Sequence, residues 1–389
     1  MALLPPLPPA FAFNSSHRPT GGGTLVVPMN GRVTSHPTLD ALGPAFAPGL
    51  TARERLEVAR PLLDGSHPVM AAFAMAARDA TRGGLDGCGI AVRVAARHDG
   101  GTIAEAQQFF GCFNPTRRPE LSAWQFAAMR EADLSAIAAR AASTALDLVD
   151  PGGHRTVGIW LYPVDHANAH SMLRLHGLEA WGDLGGVVAL QAWPSPGTVR
   201  RVGPVVTRAV ALGVRGALAW PDGRPPTLAD HLAREGIASH AVGAAFPALE
   251  HPWAAPFTPA PDWDDALRIV ATTIGVASYA EVRVNTYGTV LLAGDDRYPS
   301  PPVPDADDLA YARAVLLDDL SARDPARIAG YLYGDLIVAH SGHPPVGMSP
   351  FAGLAAAHAM VGESITRRGL DLASACRMPA ADLLDGAFG

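Results

Sequence analysis

The sequence predicts an α/β protein: a central parallel βαβαβ unit, flanked by an N-terminal α/β region and a C-terminal α+β region with two antiparallel hairpins. Three observations carry this. Three apolar runs, Thr156 to Pro163, Gly186 to Pro194 and Val214 to Pro221, each close on an aromatic residue followed by proline. Proline cannot donate a ladder hydrogen bond, so each marks the carboxyl end of a strand. The intervening segments are long enough to carry a helix back across the sheet, and Ile237 to Gly243 supplies a further strand. Beyond Gly243 the chain turns proline-rich, with Pro247, Pro252, Pro256, Pro259 and Pro261, as a linker or surface strap does. The resulting division is an irregular arm over 1–23, an N-terminal α/β region over 24–150, the central unit over 151–250, a linker over 251–263 and the α+β region over 264–389.

Taken in order, the arm is apolar and offers an Ala10-Phe11-Ala12 triplet of the kind seen at signal cleavage sites. It lacks a basic leading segment, and Pro5, Pro6, Pro8 and Pro9 break any helical hydrophobic stretch. Thr24 to Met29 is the first expected strand, followed by helices near 51–62 and 69–80 and a strand over Gly89 to Ala95. Pro119 to Val149 predicts one long helix with Leu134, Ile137, Ala141, Ala145 and Leu148 on its buried face. Thr227 is the expected N-cap of a helix beginning at Leu228, its hydroxyl accepting from a backbone N–H left free by the first turn.

In the last region, Val282 to Asp296 and Ile328 to Gly342 align Tyr287-Gly288 with Tyr333-Gly334, which predicts two hairpins turning at glycine. Between them Asp305 to Ser321 is an amphipathic helix through Leu309, Ala312, Leu316 and Leu320. Ser349-Pro350 opens a helix that Arg367, Arg368 and Gly369 end, with His358 on its apolar stripe.

Composition narrows the chemistry. With 389 residues, 48% hydrophobic and 17% charged, the chain can bury a sizeable core. Its net charge of −7 and lack of a basic stripe argue against nucleic acid as a partner. No uninterrupted apolar span reaches membrane length, so no membrane association is expected. All 30 basic residues are arginine, a bias that fits a GC-rich bacterial genome. A lysine Schiff base to pyridoxal phosphate and a P-loop lysine are therefore excluded, and any anion must be gripped by arginine or backbone N–H groups. No glycine-rich fingerprint follows a strand, which argues against NAD or FAD in a Rossmann site. Cys88, Cys112 and Cys376 are too few and too scattered for a disulfide framework, and a reducing cytoplasm is the expected location.

In open α/β sheets ligands bind outside the carboxyl ends of the strands, so the candidate site lies after the strand-ending prolines. Ser195, Arg200, Arg201, Asp222 and Arg224 are the candidate substrate-binding residues there. Arg201, Arg208 and Arg215 recur every seven residues, and Arg208 and Arg215 are expected on a solvated helix face. His166 and His170 are spaced by one helical turn, a geometry that offers two imidazoles to a divalent metal such as zinc, with His343 as a further ligand. Asp165, and His340 beside Ser341, are the candidate acid–base and nucleophilic groups. Two functions are in view. One is a bacterial enzyme acting on a small anionic metabolite, with metal-assisted hydrolysis as its form. The other is a non-catalytic binding or assembly subunit, forming a homo-oligomer or taking a protein partner through the C-terminal hairpins.

Overall fold

The computed structural model describes residues 32–35, 38–63, 119–164, 166, 172, 175–181, 186–219, 226–274, 303–335 and 344–385. Two of the expected strands are present. β2 (Val157–Pro163) and β4 (Val187–Ala192) pair in parallel, with Pro163 opposite Ala192, so their carboxyl ends lie side by side. Both are buried almost throughout, which is why they read as continuous apolar runs rather than alternating ones. β1 (Val33–Ser35) adds a short parallel strand beside β2, and β3 (Leu178–Trp181) pairs antiparallel with β4, giving the order β1-β2-β4-β3. The connection between β2 and β4 thus contains a strand the sequence did not announce. A turn with His176 and Gly177 at φ 52° and 64° leads into it.

The runs Val214 to Pro221 and Ile237 to Gly243 were expected as strands, and their described residues are helical instead, Trp220 and Pro221 lying outside the described residues. Residues 214–219 end the 24-residue helix α5 (Pro196–Ala219), and 237–243 lie inside α6 (Leu228–Ala245). Val202, Val206, Val210 and Val214 are all buried, and this four-residue recurrence buries one helical stripe despite the strand preference of β-branched residues. The predicted cap of α6 is present: Thr227 Oγ1 accepts from the Asp230 N–H at 3.2 Å, while the Asp230 carboxylate accepts from the Thr227 N–H at 2.9 Å.

After β1 come α1 (Thr38–Leu42) and α2 (Ala52–Leu63), the latter where a helix was expected. The long helix over 119–149 is instead two, α3 (Pro119–Glu131) and α4 (Leu134–Val149), interrupted at Asp133, which adopts φ 50°. Of the expected face of α4, Leu134, Ala141 and Ala145 are buried and Ile137 and Leu148 only half-buried, and the buried side is wider than expected, taking in Ala138, Ala142, Leu146 and Val149 as well. α4 packs against β1, β2 and α5, and α5 packs in turn against α6.

The remaining described elements are α7 (Trp263–Ile274), α8 (Ala306–Leu317), α9 (Pro325–Tyr333), α10 (Ala352–Arg368), α11 (Leu372–Arg377) and α12 (Ala380–Leu384). α8 and the end of α10 at Gly369 (φ 61°) match the sequence. The second hairpin does not, because its first arm is α9. Asp324 accepts from the Arg327 N–H, Pro325 takes the first helical position, and Gly334 (φ 89°) ends the helix. The start of α10 also differs, since Phe351 at φ 59°, rather than Ser349, directly precedes it. The expected elements at 24–29, 69–80, 89–95 and 282–296 lie outside the described residues, as does the second arm of the second hairpin beyond Asp335.

One core cluster runs from Val33 to Leu384, joining the sheet to α4, α5, α6 and the C-terminal helices. A smaller one gathers Leu121, Val164, Met172, Trp193 and Ala260 with the inner face of α7, over the carboxyl edge of β2 and β4. Among the described residues one helix, α5, is long and apolar enough to cross a membrane, and 72% of that stretch is buried inside the fold.

Candidate functional site at the carboxyl edge of the sheet

The carboxyl ends of β2 and β4 place the start of α5 and the proline-rich strap together. Directly after Trp193-Pro194, Ser195 is buried and caps α5: its hydroxyl accepts from the Thr198 N–H at 3.1 Å and lies 3.0 Å from the Thr198 hydroxyl. Pro196 then occupies the first helical position, where no N–H is needed. The next N–H, of Gly197, donates to Asp262 Oδ2 at 3.0 Å. Asp262 arrives from the end of the strap, just before α7, and a Cβ on residue 197 would fall 1.9 Å from its Oδ1. Glycine is therefore what lets the carboxylate reach the helix terminus, where the helix dipole favours negative charge.

One turn further along α5, Arg201 points back toward this junction rather than outward. Its Nη2 donates to the Pro256 carbonyl at 3.1 Å, while Nε and Nη1 are buried and have no hydrogen-bond partner among the described residues. Burial pulls its pKa down to about 10, partly offset by the charge of Asp262. Asp262 Oδ1 is likewise buried without a partner among the described residues. A desolvated guanidinium with unused donors, one helical turn from a helix N-terminus, is suited to gripping a carboxylate or phosphate. Arg200, its neighbour, is exposed.

Beside this junction the edge is lined by aromatic rings. Trp193 and Trp124 lie with centroids 5.3 Å apart, and Trp263 Nε1 donates to the Met172 carbonyl at 3.1 Å. His176 meets Trp263 edge-on at 6.4 Å. Gln125 Nε2 donates to the Val164 carbonyl at 3.0 Å and so ties α3 to the end of β2. His166 is buried in the same region.

Of the residues singled out from sequence, the structure therefore brings Ser195 and Arg201 to one helix start, gives Ser195 a capping role and leaves Arg200 at the surface. Asp165, His170, Asp222, Arg224, His340, Ser341 and His343 lie outside the described residues. Among the described residues, no group of three His, Cys, Asp or Glu side chains is arranged to hold a metal ion. The expected solvated face of α5 is a correction. Arg208 pairs with Glu235 at 2.6 Å, and Arg215, only 1% exposed, donates to the carbonyls of Cys376 and Met378. Both face helices packed against α5, so burying their apolar stems wins over hydration of their heads. Asp262 and Gly197 were missed. The Ser195-Pro196 pair is a legible helix start, but nothing local links it to a carboxylate 65 residues away. No family model matches the chain, and no match is found among curated proteins or solved structures.

Proposed function

We propose that this protein binds a small anionic metabolite, a carboxylate or phosphate, at the carboxyl edge of its parallel strands, and that Arg201 is the cation that holds it. The observation supporting this is the Arg201 guanidinium, desolvated beside the first turn of α5 with Nε and Nη1 free of partners among the described residues. Charged groups taken out of water are retained where something compensates them, and an arginine fork is built for planar oxyanions. The alternative of an assembly subunit drew on two C-terminal hairpins, and the helical state of residues 325–333 removes one arm of that support. Acid–base, nucleophilic or metal chemistry by Asp165, His166, His170, His340, Ser341 and His343 is the catalytic form of the same proposal.

The test is thermal unfolding with increasing inorganic phosphate or citrate, since a ligand that binds only the folded state raises the midpoint. Wild type and Arg200→Gln are expected to be stabilised alike and Arg201→Gln to lose at least about tenfold in affinity, as loss of a charge-assisted pair implies. An equal response in all three proteins, or none in wild type, overturns the reading.

A further inference from the structure

The two helices that join the sheet half of the molecule to its C-terminal helices, α6 and α10, meet through a pair of stacked imidazoles. The His240 and His358 rings are 4.2 Å apart between centroids and inclined by 21°. Each is fixed by a hydrogen bond that crosses the interface. His240 Nε2 lies 2.9 Å from the His358 carbonyl, and the Ser239 hydroxyl lies 2.9 Å from His358 Nδ1. Approach is close on both sides of the pair: a Cβ on Gly236 would fall 2.5 Å from the Ala357 carbonyl, and one on Gly362 would fall 2.8 Å from His240 Nε2. The interface therefore has little room to rearrange around a changed ring.

The surrounding charges do not favour protonation. His251, in the turn before Pro252, acts on His358 as a further positive charge when protonated, with Glu250 3.8 Å behind it and largely exposed. Glu363 on α10 is engaged by Arg313 of α8, and Glu235 on α6 by Arg208 of α5. On α9 Arg327 is held by Asp319, on α11 Arg377 pairs with Asp150, and Asp382 on α12 is exposed. Among the described residues no carboxylate lies within ion-pair distance of either ring of the stack.

We propose that the His240–His358 stack is an acid-released latch: two neutral rings hold α6 to α10, and protonation of both places like charges face to face and frees α10 from α6. Burial holds both imidazoles below their ordinary value, His358 at about 4, with His240 and His251 adding to the effect there. The closed state thus binds protons less well than the open one, and opening is favoured progressively as pH falls from about 6.5 toward 4.

The test is hydrogen exchange, read by mass spectrometry on peptides covering residues 235–245 and 352–366 of the full chain and corrected for intrinsic rates. For His358 alone the opening constant is expected to rise about thirty-fold between pH 7.5 and pH 5. His358→Asn keeps an acceptor for Ser239 and His240→Gln keeps a donor for the carbonyl, and each removes the titration of one ring. The acid response of the two helices is expected to shrink in each variant and to vanish in the double variant. A wild type whose corrected exchange is the same at both pH values overturns the latch, and so does a variant with an undiminished response. Should a variant fail to fold at pH 7.5, an NMR titration of the wild-type imidazoles decides: a His358 midpoint near 6.5 overturns the proposal and one near 4 supports it.

Discussion

Asp262 Oδ2 accepts the Gly197 N–H at 3.0 Å, so a carboxylate at the end of the proline-rich strap sits on the first turn of α5. This contact ties the strap to the carboxyl edge of the sheet, and it places a resident negative charge where an incoming anion would find its N–H donors.

A Gly197→Ala substitution tests how tight this junction is. Alanine ordinarily favours a helix over glycine by up to about 1 kcal/mol. Here the new methyl would meet Asp262 Oδ1 at 1.9 Å and the Ala260 Cβ at 2.5 Å. The crowding is expected to win, with a net loss of about 1–3 kcal/mol in urea unfolding. A more stable variant would mean the strap gives way without cost.

Asp262→Asn keeps an acceptor for Gly197 but removes the charge. Stability is expected to fall by about 1 kcal/mol, the usual worth of an anion at a helix start. Inorganic phosphate is expected to bind more tightly to the variant, because a competing carboxylate has become neutral. Isothermal titration checks both the direction and, with Arg201→Gln added, the dependence on the guanidinium. Weaker phosphate binding in Asp262→Asn would show that the carboxylate supports the ligand rather than competing with it.

Arg208 and Glu235 form an ion pair at 2.6 Å with side chains only 14% and 9% exposed. Glu235, with Tyr333, more than offsets the effect of burial, so the guanidinium is held above its usual range. Arg208→Met alone strands the carboxylate and is expected to cost about 3 kcal/mol, whereas adding Glu235→Met is expected to recover much of it. Denaturant unfolding of the two single variants and the double variant gives the coupling. A double variant as unstable as the sum of the singles would assign the loss to packing around Phe257, over whose ring Arg208 also lies at 5.7 Å.

His358 sets an acid limit on stability. Its pKa falls from 6.5 to about 4 on folding, first through burial. The protonated form is therefore disfavoured in the native state. Stability is complete above about pH 6.5 and is lost as pH falls toward 4, by about 3 kcal/mol in total. Unfolding curves for wild type and His358→Asn at pH 7 and pH 4 isolate this contribution from that of the carboxylates. Parallel losses in the two proteins would assign acid sensitivity to other groups.

The sequence determined by itself what local chemistry determines. The buried runs of β2 and β4, the Thr227 cap and the glycine end of α10 follow from apolar spacing and from the needs of backbone N–H groups and left-handed φ. It also placed Arg201 near the carboxyl edge of the sheet. Tertiary packing decided the rest. Val214 to Ala219 and Ile237 to Gly243 satisfy strand and helix patterns alike, and only their neighbours, α4, α6 and α10, select the helix. The burial of Arg208 and Arg215 depends on Glu235 and on the carbonyls of Cys376 and Met378. Asp262 meets Gly197, and His240 meets His358, across separations of 65 and 118 residues. Contacts of that range leave no periodicity in the chain, because they arise only when separate elements share a core.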